Sequence, residues 1–147
     1  MTTSPREVLT RYHRAMLDKS ADDLADLYAA DGVHEFPFTS PGFPDRYVGR
    51  ERIRAGYAAI WGASPTRVHR IEQVAVHDTT DPEVLIAEHV AIGAVGADGR
   101  PFDVPGLLVL RVRTGRIVLT RDYMDALGVG LAMGRLSLAG PAGSATD

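Results

Sequence analysis

Asp122 is the residue of this chain whose surroundings most clearly call for chemistry. It sits in an apolar run, Arg116 to Met124. Read as a strand, that run puts Val118, Thr120, Asp122 and Met124 on one face and Leu119, Arg121 and Tyr123 on the other. A carboxylate on the mostly apolar face of a strand is a candidate acid or base. His89 has a comparable setting. Leu85, Ala87, His89, Ala91 and Gly93 share one face, and small residues around one imidazole leave room for a ligand. An imidazole beside a carboxylate can act as a general acid/base pair, the carboxylate raising the imidazole pKa and fixing its tautomer. Burial of the same two groups pushes the other way. We expect His89 to be the partner of Asp122. His34, sharing a face with Phe36, is a further imidazole able to bind or protonate a substrate oxygen, and Tyr12 is a candidate hydroxyl donor.

Each candidate also has a plain structural role open to it. Asp122 can anchor a nearby histidine or backbone amide, and His89 can be a hydrogen-bonded core residue. Tyr12, Tyr28 and Tyr57 stand at helical spacing and suit a core. His13, His69 and His77 fall on faces expected to point outward and to be solvated. His34, His89 and Asp122 could imitate a two-His-one-carboxylate metal site, but we expect no metal and no cofactor.

The elements that position these residues are legible from caps and periodicity. Ser4-Pro5 followed by Glu7 reads as a helix start, with Val8, Leu9, Tyr12, Ala15 and Met16 at helical spacing. A second helix is expected from Ser20, with Leu24, Leu27 and Tyr28 as its apolar face and an end at Asp31-Gly32. Val33 to Phe36 reads as a short strand stopped by Pro37, and residues 38 to 48 as a loop. Gly49-Arg50-Glu51 opens a third helix carrying Ile53, Tyr57, Ile60 and Trp61. Four strands in antiparallel succession follow: Arg67 to His77, Val84 to Val95, Pro101 to Val112 and Arg116 to Met124. Ala97-Asp98-Gly99 and Thr114-Gly115 are the turn signals between them. The order predicts an α+β domain over residues 1–136, a curved antiparallel sheet with three helices on its concave face, and a flexible tail at 137–147. A curved sheet closed by helices makes a cone with an apolar interior, the natural place for a small ligand. Its expected lining is Met16, Phe36, Phe38, Tyr57, Ile60, Trp61, Val104, Leu108 and Met124.

Composition narrows the function classes. The chain has 147 residues, enough for one domain, with 45% hydrophobic and 24% charged residues. A net charge of −3 with scattered arginines gives no footprint for nucleic acid. With no cysteine, disulfides, thiolate metal sites and a cysteine nucleophile are excluded. No apolar run approaches a membrane span, and no signal-peptide core follows the polar start, so a cytoplasmic location is expected.

Several local phrases resemble the nuclear-transport-factor-2 superfamily. They are Leu27-Tyr28-Ala29-Ala30-Asp31-Gly32, Gly49-Arg50-Glu51 with Ile53, Thr114-Gly115-Arg116-Ile117, and Arg121-Asp122-Tyr123-Met124-Asp125. The likeness spans roughly residues 6 to 127. The last phrase is similar to that of SnoaL-like and limonene-epoxide-hydrolase proteins, and with the stretch from Thr80 to Val95 it also resembles the phenazine-biosynthesis A/B proteins. The resemblance implies a cone-shaped fold and a homodimer through the outer sheet face, where Ile86, Val90 and Ile92 form a row. Compared with the steroid isomerases, Tyr12, Tyr28 and Tyr57 fall at the places of that family's tyrosines. Phe36 stands where its carboxylate base would be, and Gly106 or Leu107 where its second acid would be. Compared with the epoxide hydrolases, His89 and Ala91 replace an Arg and an Asp, and His34 and Phe36 replace a Tyr and an Asn. Only Asp122 retains its acid.

The expected function is therefore a SnoaL-like, cofactor-free enzyme. It would carry out acid/base proton transfer on a small, mostly apolar substrate: isomerisation, cyclisation, dehydration or epoxide opening. The alternatives are a non-catalytic small-molecule binder, favoured by the acids replaced at Phe36, Ala91 and Gly106, and a dimerisation domain whose cone is filled by side chains.

Overall fold

The computed structural model describes residues 2–38 and 43–134; the tail expected at 137–147 lies outside them. The first helix, α1 (Pro5–Asp18), starts on a capping box in which the Ser4 hydroxyl accepts from the Glu7 amide and the Glu7 carboxylate accepts from the Ser4 amide. Its buried face is Val8, Leu9, Tyr12 and Ala15, at the spacing read from the sequence. The second helix is shorter than expected. α2 spans only Ala21–Ala25, and Tyr28 already opens strand β1 (Tyr28–Glu35). Leu27 and Tyr28 have helical spacing, but β1 finds partners on both sides, so sheet pairing overrides the local preference.

Within the expected loop, Arg46–Val48 forms strand β2, paired antiparallel with β1. Helix α3 (Arg50–Ala63) follows. Arg50 ties its first turn to the sheet, donating from Nε and one terminal nitrogen to the Tyr28 carbonyl at 2.9 and 2.8 Å. Strands β3 (Thr66–Asp78), β4 (Val84–Val95), β5 (Arg100–Arg113) and β6 (Arg116–Met124) then run antiparallel in succession, as expected. Thr114 and Gly115 both have positive φ, 49° and 76°, the conformation a two-residue turn needs to match the strand twist. A last helix, α4 (Ala126–Ala132), is capped by the Asp125 side chain. It brings the number of helices among the described residues to four, where three were expected.

The six strands form one curved sheet in the order β2-β1-β6-β5-β4-β3. The expectation of an antiparallel sheet needs one correction: β1 lies parallel to β6, with His34 opposite Thr120. The chain crosses the whole sheet between β1 and β6, and such a return places first and last strands side by side in the same direction. The core fills the space between sheet and helices, with Leu24, Tyr28, Ile53, Leu85, Leu108, Leu110 and Ile117 at its centre.

Candidate active site

β6 stands between β1 and β5, so Asp122 has β1 on one side and Leu108 of β5 on the other. His34, from β1, reaches it directly. Its Nε2 lies 3.2 Å from Asp122 Oδ2 and 2.9 Å from the Tyr57 hydroxyl. Tyr57, projecting from α3, donates to the same carboxylate oxygen at 3.2 Å. On the other edge of the imidazole, Nδ1 meets the Tyr28 hydroxyl at 2.8 Å, and that hydroxyl meets Thr120 Oγ1 at 2.8 Å. One proton arrangement satisfies every member. Thr120 donates to Tyr28, Tyr28 donates to Nδ1, and Nε2–H is shared between Asp122 and the Tyr57 oxygen. His34 is fully buried, whereas the Asp122 side chain keeps 15% exposure. Among the described residues the hydrogen bonds to Asp122 all end on Oδ2, which leaves Oδ1 able to accept a further one.

Burial pushes the phenol pKa values of Tyr12, Tyr28 and Tyr57 up, and Asp122 adds to the shift in each case. All three therefore stay protonated and able to donate. Tyr12 is buried on α1 and interacts electrostatically with Tyr28, Tyr57 and Asp122.

His89 is placed differently from expectation. Its strand, β4, is separated from β6 by β5. Two strand spacings come to roughly 10 Å, and His89 makes no hydrogen bond to Asp122. The carboxylate's imidazole partner is His34. The His89 ring instead lies across Gly106, its cross-strand neighbour, where an added Cβ would sit 2.8 Å from both Cε1 and Nε2. Burial pushes its pKa down, with Asp122 opposing the shift. His13, expected to be solvated, packs edge-on against it with ring centroids 5.4 Å apart. The pKa of His13 falls to about 4, through burial first and His89 second. His13 Nε2 and His89 Nδ1 are buried without a hydrogen-bond partner. His69 and His77 are exposed, and His77 pairs with Glu88.

These groups border an apolar cavity of about 180 Å³ inside the cone. Tyr12, His89 and Asp122 line it, together with Met16, Phe36, Tyr57, Ile60, Trp61, Val104, Leu108 and Met124. His34 stands behind Asp122, outside the lining. Phe38 is the exception among the expected lining residues. It is 64% exposed and packs against Tyr123 on the outer sheet face, because Pro37 ends the strand alternation that would have aimed it inward. Val129 and Met133, at the end of the described chain, close part of the wall. Sequence reasoning missed them; the one signal was Asp125, an N-cap residue ahead of a short apolar stretch. Among the described residues no group of three His, Asp or Glu is gathered as a metal site, and no helix is long and apolar enough to cross a membrane.

Comparison with known proteins agrees with this architecture. An uncharacterized PhzA/B-like protein, PA3332, of Pseudomonas aeruginosa is 32% identical over 122 residues, covering 83% of this chain and 84% of its own. The uncharacterized protein YesE of Bacillus subtilis is 32% identical over 130 residues, covering 87% and 86%. Among solved structures, a hypothetical protein of Catenulispora acidiphila with a ketosteroid isomerase-like fold, in complex with trimethylamine, has a TM-score of 0.71 and 25% identity, covering 90% of this chain and 95% of that one. The family model of the SnoaL-like domain matches residues 9–120. With its mixed α+β fold and six-stranded curved sheet, the chain belongs to the SnoaL-like domain family, within the nuclear-transport-factor-2-like superfamily.

Proposed function

We propose that this protein is a cofactor-free enzyme that moves a proton on a small, mostly apolar substrate held in the cone. The observation that carries this is the Asp122 carboxylate. One of its oxygens is held by His34 and Tyr57, the other has no hydrogen-bond partner among the described residues, and the residue lines an apolar cavity. A carboxylate held this way is oriented without being neutralised, as a general base requires. Asp122 Oδ1 takes a proton from a substrate carbon, the electron pair moves to an adjacent oxygen, and Tyr12 or His89 donates a hydrogen bond to that oxygen. Asp122 then returns the proton at another atom, which completes an isomerisation or ring closure. His34 and Tyr57 act as positioning residues for the carboxylate.

Deuterium incorporation tests this. The protein is incubated in D2O with a panel of small carbonyl compounds bearing acidic C–H bonds, and label uptake is followed by NMR. Catalysed uptake that vanishes in Asp122→Asn is expected; full uptake in that variant would remove Asp122 from the role. A non-catalytic binder remains the second reading, favoured by Phe36, Ala91 and Gly106 standing where relatives carry functional groups. The outer sheet face exposes Val74 and Phe38 beside Ile86, Val90, Leu107 and Tyr123, which supports a homodimer through that face. Light scattering at micromolar concentration should give twice the monomer mass.

A further inference from the structure

Three features of the cavity restrict what can occupy it. The first is size. An apolar cavity of about 150 Å³ holds a single benzene ring, and this one measures about 180 Å³. Trp61 and Tyr57 from α3, Phe36 just after β1 and Met133 after α4 bound it. One six-membered ring with short substituents fills that space. A four-ring molecule is larger than that space.

The second feature is charge. No lysine or arginine is among the described lining residues, and Asp122 is the one carboxylate. An anionic ligand would face that carboxylate with no cation to offset the repulsion, in a medium where charge is weakly screened.

The third feature is the tautomer of His89. Its Nδ1 is buried with no partner, and its Nε2 edge lies over Gly106 at the cavity. A buried unpaired N–H is costlier and rarer than a buried unpaired lone pair. The neutral ring therefore carries its proton on Nε2 and presents a donor to the cavity. That donor has no acceptor among the described residues, so a ligand can supply one.

We propose that the ligand is a neutral single-ring molecule bearing a hydrogen-bond-accepting oxygen, which takes the Nε2–H of His89. This rests on the proton-transfer function proposed above, and it names the class of substrate.

The test is a matched binding series read by the fluorescence of Trp61, the single tryptophan of the chain, and by thermal shift. The probes are cyclohexanone, methylcyclohexane, cyclohexanecarboxylate, cyclohexylammonium and a four-ring steroid ketone. Cyclohexanone should bind about tenfold tighter than the hydrocarbon and than either charged probe, and the steroid should not compete with it. In His89→Leu the ketone-to-hydrocarbon ratio should fall to about one. Gly106→Ala, which pushes the ring aside, should lower the same ratio and serves if His89→Leu does not fold. Competition by the steroid, tighter binding of either charged probe, or an unchanged ratio in both variants would overturn the proposal. The outcomes separate from those of the exchange assay. Steroid binding leaves proton transfer by Asp122 standing, whereas a silent exchange assay with the ketone preference intact removes the chemistry and keeps the ligand class.

Discussion

His34 and His89 are both buried imidazoles projecting from strands of one sheet, yet they are opposites in how their nitrogens are satisfied. Both ring nitrogens of His34 are hydrogen-bonded, in a network of Asp122, Tyr57, Tyr28 and Thr120. Among the described residues His89 makes no side-chain hydrogen bond, and its neighbour His13 also buries a nitrogen without a partner. The difference teaches where rigidity ends and recognition begins. A satisfied network fixes its members in one geometry and suits positioning. An unsatisfied polar edge at a cavity is a standing cost that a ligand can relieve.

Four measurements would break or sharpen this contrast. Asp122→Asn should lower any catalysed deuterium exchange by about 10²–10⁴-fold, read by NMR as above. Next, His34→Leu should cost about 3 kcal/mol in urea denaturation, because it strands Tyr28, Tyr57 and Asp122 at once. A cost near zero would mean that the network is not formed in solution.

Acid should act through the other pair. Burial, with the neighbouring His89 second, pushes the pKa of His13 down to about 4 from the ordinary imidazole value of about 6.5. Between these values the unfolded chain binds a proton that the folded chain does not, so stability falls as pH drops from about 6.5 to about 4. Allowing for partial exposure of the ring, the loss is about 2 kcal/mol. In His13→Leu the share of the acid loss due to this residue should disappear from the pH dependence of urea midpoints. The smallest effect is expected for His89→Leu. It removes a polar atom that is already unpaired, so stability should stay within about 1 kcal/mol of the parent. A loss as large as that of His34→Leu would show that the two histidines do not differ as described.

Much of the scaffold could be read before any coordinates. The Ser4/Glu7 box, the strand boundaries at Val84, Val95, Arg116 and Met124, and the turn at Thr114-Gly115 are local features encoded by neighbouring residues. The inward faces of β4 and β6 follow from alternation; His89 and Asp122 lie at the cavity, as do eight of the nine residues expected to line it. Phe38 failed because alternation does not extend past Pro37. Tyr28 failed because its helical spacing was weaker than the strand pairing it meets in the sheet.

The pairing of Asp122 was decided by tertiary structure alone. Alternation and helical spacing gave Asp122, His34 and His89 each a strand face and Tyr12 and Tyr57 each a helix face. Neither could establish which of these residues touch. Contact depends on strand order, and the parallel pairing of β1 with β6 joins residues 88 positions apart. Alternation along a strand is a local property of the backbone. Adjacency between strands is set by the packing of the whole chain, and that packing gave Asp122 to His34 and left His89 facing the cavity.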